Sequence, residues 1–181
     1  ENLLARTADG NKTVQQFACS SLAILFETCD EEGLPAAYLP PRLAPILEHL
    51  LRCLGGYQVK SSTIMYDTIG TLCDAVAPHR SLSGDRALAT ALLSHLLQRW
   101  QATADDDMLL LPLLECLSCA CAAVHRSAGL SMHRSSPSRC GCRRCTVRQL
   151  RTWVKLSIIT DGEDTALNST YVSANILYTR E

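Results

Sequence analysis

Apolar positions recur with a helical period along the first two thirds of the chain. In the segment 64–77, which Pro78 follows, four apolar side chains fall within about 60° of one another around a helix axis: Met65, Ile69, Leu72 and Val76. Asp67 and Asp74 point to the opposite side of the same helix. A solvated face explains both aspartates, and an acidic groove that recognises a cationic ligand is the sharper hypothesis.

The same period predicts four more helices, at 11–29, 39–56, 85–103 and 108–124. Asn11 is a suitable N-cap for the first of them, and Gly55 and Gly56 are typical of the end of the second. The stripe predicted to face the core in the first helix consists of Val14, Ala18, Leu22 and Leu25. Five helices joined by short loops, with almost no strand signal, predict an all-α stack or bundle.

The first, third and fifth helices repeat one another at a distance of 47 to 48 residues. Leu25 and Leu72 are 47 positions apart, and Ile69 and Leu117 are 48 apart. Helix pairs that recur at this distance are typical of a HEAT-type α-solenoid, because each pair buries its apolar face against its neighbours. We therefore predict an all-α HEAT-repeat solenoid over 1–124.

Acidic residues recur with the repeat, on the side away from the apolar stripe: Glu27, Asp67, Asp74 and Glu115. In a solenoid, alternate helices line the concave surface, so these four residues are candidates for one continuous acidic groove. The fifth helix is apolar nearly all round, so the direction of Glu115 depends on the phase of Leu113 and Leu117.

The charge of the chain divides it near residue 125. Residues 1–124 carry a net charge of −6 and residues 125–181 a net charge of +5. We predict two units: the helical repeats at 1–124, and a basic tail at 125–181, rich in Ser, Arg and Cys, that is disordered or unrelated to the repeats. An acidic body favours basic protein partners over nucleic acid.

Several other classes of protein are disfavoured by the sequence. It contains no nucleophile elbow, P-loop or H-E-x-x-H motif, and we expect neither an enzyme nor a cofactor. The leucine-rich segment 108–124 is too short for a membrane span. Cys140, Cys142 and Cys145 near His133 lack the second ligand pair of a structural zinc site, so we predict no metal. Most of the ten cysteines lie in apolar helical patterns, which predicts buried free thiols.

Four stretches, in order, carry a resemblance to a known family: "LLARTADGNKTVQQFACSSLAIL", "YDTIGTLCDAVAPH", "LLQRW" and "LLPLLECLS". Over residues 1–124 the chain resembles the transportin family of nuclear import receptors, within the importin-beta (karyopherin-beta) superfamily. The resemblance implies a HEAT solenoid that binds basic cargo signals ending in a proline-tyrosine pair. It also implies that Glu27, Asp67, Asp74 and Glu115 bind the signal, although the family is richer in acids around Glu27.

The resemblance further implies shuttling between cytoplasm and nucleus through the nuclear pore, with nucleoporins and the GTPase Ran as partners of a full-length receptor. In the family, Ran binds repeats that precede those resembled here. A HEAT-repeat scaffold that binds other proteins without transporting them is the alternative, since a solenoid fold alone does not fix a function. The two hypotheses differ in whether the groove prefers a basic proline-tyrosine ligand.

Overall fold

The computed structural model describes residues 2–31, 39–79, 81–104 and 107–125. Over these ranges the chain forms seven α-helices and no strand. The helices are α1 (Asn2–Arg6), α2 (Lys12–Glu31), α3 (Leu43–Gly56), α4 (Val59–Val76), α5 (Ser81–Gly84), α6 (Arg86–Ala102) and α7 (Leu110–His125). Short 3₁₀ turns at Pro40–Arg42 and Ala77–His79 precede α3 and follow α4.

The predicted fold class is confirmed as an all-α HEAT-repeat solenoid. The five predicted helices correspond to α2, α3, α4, α6 and α7. The short helices α1 and α5 were not predicted, because four or five residues are too few for an apolar period to show. In addition, α4 begins at Val59, five residues before the predicted start.

The helices lie in two layers. Helix α4 packs along α2 on one side and along α7 on the other. In the second layer, α3 packs against α4 and α6, and α6 packs against α7. The first, third and fifth predicted helices therefore lie side by side, as a repeat of 47 to 48 residues requires.

Side chains of Asn and Asp cap the starts of two long helices, α2 and α6. The Asn11 side-chain oxygen accepts a hydrogen bond from the Thr13 amide at 2.9 Å. At the start of α6, the Asp85 carboxylate accepts from the Leu88 amide at 3.0 Å. These acceptors satisfy amides that have no partner within the helix.

The core consists of the apolar stripes of all five long helices. All four stripe residues of α4 are completely buried, as are the predicted stripe residues Leu113 and Leu117 of α7. The stripe predicted for α2 is partly wrong, because Leu25 is 41% exposed whereas Phe26 is 1% exposed. Among the described residues, α2 packs mainly against α1 and α4, and this arrangement turns Phe26 inward instead of Leu25.

Six cysteines of the described helices form no disulfide, as predicted. Cys19, Cys73, Cys116 and Cys121 are buried, while Cys53 and Cys119 are partly exposed. Burial raises the pKa of the Cys73 thiol well above its ordinary value, and neighbouring thiols and Asp74 add to the effect. A buried, protonated thiol behaves as a small apolar group, consistent with a role in packing.

The predicted tail, with Cys140, Cys142, Cys145 and His133, lies outside the described residues. Within the described ranges, no helix has the length and hydrophobicity that a bilayer crossing needs. Over the same ranges, His, Cys, Asp and Glu side chains nowhere converge in a group that could hold a metal ion.

Candidate acidic binding groove

Helix α4 presents an acidic outer face because its apolar stripe fixes its orientation. Met65 and Ile69 are completely buried against the neighbouring helices, which turns Asp67 and Asp74 outward. Asp67 is exposed and Asp74 is partly buried. The two aspartates lie two helical turns apart, about 10 Å along the axis.

A cavity of about 300 Å³ lies between α4 and α7. From α4 it is lined by Thr63, Ile64, Tyr66, Asp67, Gly70, Thr71 and Asp74, and from α7 by Pro112, Glu115, Cys116 and Cys119. We call this cavity the acidic groove. It contains three of the four acidic residues singled out from the sequence, supplied by two adjacent helices.

Two carboxylates of the groove, those of Asp67 and Glu115, repel each other. Partial burial raises the pKa of Glu115 above its ordinary value, and the negative charge of Asp67 raises it further. The Asp67 charge therefore acts across the groove from one helix to the other. No lysine or arginine among the described residues forms an ion pair with Asp67, Asp74 or Glu115, so a bound cation would relieve the repulsion.

Two residues of the groove, Gly70 and Cys119, were not predicted from the sequence. The Cys119 thiol donates to Oδ2 of Asp74 at 3.4 Å, which joins α7 to the far end of the acidic face. Gly70 lies between Asp67 and Asp74 and faces Cys116 and Cys119. Helical spacing could have indicated both, because Gly70 follows Asp67 by three positions and Cys119 follows Glu115 by four.

Comparison with known proteins places the chain in a family. Over 122 residues, 67% of the chain, it is 41% identical to transportin-1 of Mus musculus and of Homo sapiens. It is 40% identical to importin subunit beta-2 of Schizosaccharomyces pombe over 124 residues, 68% of the chain. The chain belongs to the transportin-like karyopherins. It spans about an eighth of the length of these curated relatives, 13% in each case. No family model matches it.

Glu27 lies apart from the acidic groove of this transportin-like chain. It is exposed on α2, in the same layer as α4 and α7, but it does not line the cavity. A ligand that touched both Glu27 and Glu115 would have to cross α4. The groove thus unites Asp67, Asp74 and Glu115, and Glu27 is a separate position on the neighbouring helix.

The Gly70→Ala substitution is expected to raise the free energy of unfolding by about 0.5 to 1 kcal/mol, because alanine is the better residue inside a helix. A Cβ at position 70 would lie 3.7 Å from the Cα of Cys116, an ordinary van der Waals distance. Urea denaturation followed by circular dichroism measures the change. Gly55→Ala is the control: it lies near the exposed end of α3 with no atom within 4 Å of an added Cβ, so a smaller gain is expected. A loss of stability in Gly70→Ala would mean that α4 and α7 cannot accept even one methyl group.

Glu115→Gln is expected to stabilise the protein slightly at pH 7, by about 0.2 to 0.5 kcal/mol, the size of an exposed like-charge pair. The raised folded-state pKa means that ionised Glu115 destabilises the fold, and this cost disappears as the pH falls through that pKa. Thermal unfolding at pH 7 and pH 4 should therefore show a difference from the native protein only at pH 7. Glu48→Gln, an exposed glutamate on α3, is the control with no expected change. Equal stabilisation by both substitutions would contradict the interaction with Asp67.

Proposed function

We propose that this transportin-like chain serves nuclear import by binding basic cargo signals that end in a proline-tyrosine pair. One observation carries the proposal: Asp67, Asp74 and Glu115 line a single groove between α4 and α7. The names of the relatives, transportin-1 and importin subunit beta-2, support a role in import. Binding and release of cargo require no chemical step, so the proposed role is that of a receptor and not of an enzyme.

The acidic groove suits an extended basic peptide. Such a peptide exposes its side chains and backbone, so separated carboxylates can each meet a lysine or arginine through a charge-assisted hydrogen bond. Asp67 and Glu115 would meet one basic residue, and Asp74, two helical turns further along α4, a second. Glu27 on α2 would contact a part of the same signal beyond the groove.

The same proposal extends to location and partners. A receptor of this kind moves between cytoplasm and nucleus, contacts nucleoporins in the pore, and exchanges cargo under the control of Ran. We propose these partners for the longer receptor to which repeats of this type belong. The acidic groove itself contributes only the cargo contact.

Fluorescence anisotropy tests the proposal with the full 181-residue chain and a fluorescein-labelled basic peptide ending in proline-tyrosine. We expect saturable binding that weakens as salt rises from 50 to 300 mM, since exposed charge pairs are screened. A peptide of the same composition in scrambled order is the control. Equal binding of both peptides would favour a HEAT-repeat scaffold without signal recognition, and no binding by folded protein would exclude this cargo class.

A further inference from the structure

Helices α4 and α7 approach each other closely at a residue of α4 that has no side chain. A Cβ added at Gly70 would lie 3.7 Å from the Cα of Cys116 and 3.8 Å from the sulfur of Cys119. Because a Cβ lies about 1.5 Å from its own Cα, the Cα atoms of Gly70 and Cys116 are at most roughly 5 Å apart. A disulfide needs a Cα separation of about 4.4 to 6.8 Å. At this level the two backbones are therefore close enough for a covalent bridge.

The contacts between α4 and α7 also show which residues form the next pair along the two helices. Gly70 lies beside Cys116. Further along both helices, Asp74 of α4 accepts a hydrogen bond from the Cys119 thiol of α7 at 3.4 Å. Positions increase together in these two contacts, so the helices run in the same direction. Cys73 and Cys119 each follow the close pair by three positions, which makes them neighbours across the contact.

The two thiols differ in their access to solvent. Cys119 is partly exposed and lines the acidic groove, so a small oxidant in solution can reach its sulfur. Cys73 is only 1% exposed. Burial raises the pKa of the Cys73 thiol well above its ordinary value, and the neighbouring Cys119 thiol adds to the rise. An accessible thiol beside a second thiol is typical of redox-sensing cysteines, in which the first is oxidised and the second resolves it.

The other cysteines of α7 are poorer partners for Cys119. Cys116 and Cys119 form a C-x-x-C sequence, but Cβ atoms three residues apart on a helix are about 5 to 6 Å from each other. A disulfide needs a Cβ separation of about 3.5 to 4.5 Å, so a bond between these two would distort the helix. Cys121 is two positions from Cys119 and therefore faces another side of α7.

We propose that Cys73 and Cys119 are a redox pair whose disulfide joins α4 to α7, with a hydroperoxide as the oxidant. The Cys119 sulfur attacks one peroxide oxygen while Asp74 accepts the thiol proton. The O–O bond breaks, and the leaving hydroxide takes that proton to give water and a sulfenic acid at Cys119. The Cys73 sulfur then attacks the Cys119 sulfur. The S–S bond forms, the S–O bond breaks, and the hydroxyl group leaves with the Cys73 proton as a second water.

The disulfide fixes the spacing of the two helices that form the walls of the acidic groove. It also removes the thiol proton that Asp74 accepts in the reduced protein. A dithiol reductant reverses the bond by thiol–disulfide exchange. The pairing does not depend on the proposed function, because it concerns a bond between two helices of the chain and not the ligand between them.

Peptide mapping of the full 181-residue chain tests the pairing after treatment with hydrogen peroxide and isolation of the monomer. Trypsin releases Cys73 in the peptide 61–80 and Cys119 in the peptide 100–126. We expect mass spectrometry under non-reducing conditions to show these two peptides joined. Reduction with dithiothreitol should separate nearly all of the joined species into the two peptides. Peptides 61–80 and 100–126 that remain separate after oxidation of the native monomer would overturn the inference.

Single substitutions identify the two sulfurs. The joined species should disappear in Cys119→Ser and in Cys73→Ala, and it should persist in the matched controls Cys116→Ala and Cys121→Ala. Circular dichroism confirms that each variant is folded, and Cys119→Ser changes a partly exposed residue, so it keeps the test decisive if Cys73→Ala unfolds. Joined peptides in folded Cys119→Ser, or their loss in folded Cys116→Ala, would show that another pair forms the bond.

Discussion

Replacing both aspartates of α4, as Asp67→Asn with Asp74→Asn, is expected to weaken binding of a basic proline-tyrosine peptide by about tenfold or more. Asparagine keeps the size and shape of each side chain and removes only its charge. A hydrogen bond between charged partners contributes roughly 1.5 to 3 kcal/mol when buried and less when exposed to solvent. Two partly exposed contacts together correspond to at least about 1.4 kcal/mol, which is a factor of ten in Kd.

Anisotropy titration of the full chain at two salt concentrations measures this effect. The native protein should lose affinity at high salt, and the double variant should respond to salt less, because it has lost two of the four proposed carboxylate contacts to the peptide. The control is Glu48→Gln, which removes one negative charge from the exposed face of α3. Unchanged affinity in a double variant with a native thermal transition would mean that Asp67 and Asp74 are only solvated charges.

The Leu72→Ala substitution is expected to lower the free energy of unfolding by about 2 to 5 kcal/mol. Leu72 is completely buried in α4, the helix that packs against both α2 and α7. The smaller side chain loses transfer free energy and leaves a space that rigid neighbouring helices fill only partly. Because alanine is a good helix former, the loss reports packing rather than helix propensity.

Leu25→Ala is the matched control. Leu25 lies 47 positions before Leu72, one repeat earlier, and the substitution removes the same atoms. Because Leu25 is 41% exposed, Leu25→Ala should lower the free energy of unfolding by less than about 1 kcal/mol. Urea denaturation followed by circular dichroism gives both values. Equal losses for the two variants would contradict the orientation of α2, in which Phe26 and not Leu25 enters the core.

The outward direction of Asp67 and Asp74 was predictable from the apolar stripe of α4. Asp67 and Asp74 lie opposite a strong apolar stripe, so the orientation of α4 alone placed them on an outer face. The repeat predicted that the helix carrying Glu115 lies beside α4, and the structure has α4 and α7 packed side by side. That Glu27 shares one continuous groove with these three stays a prediction: Glu27 is exposed on α2, beside α4, and does not line the cavity.

The orientation of α2 and two residues of the groove depend on packing that the sequence does not show. The buried sector of α2 depends on which neighbours cover it, and Leu25 and Phe26 differ by only one position in an apolar run. Gly70 and Cys119 line the groove because α4 and α7 approach each other closely. A Cβ added at Gly70 would lie within 4 Å of Cys119. Neither residue type in isolation indicates a binding groove.

The sequence by itself determined the five long helices, their order and the repeat, because the apolar period of a helix and the spacing of equivalent positions can be read along the chain without knowledge of its packing. It also determined the acidic character of the repeats. Only the tertiary structure decided that Asp67 and Glu115 line one cavity, that the Cys119 thiol donates a hydrogen bond to Asp74, and that Glu27 does not line that cavity. The physical reason is that the rotation of each helix about its axis is fixed by the packing of its neighbours, and a turn of a few tens of degrees moves a side chain into or out of a groove.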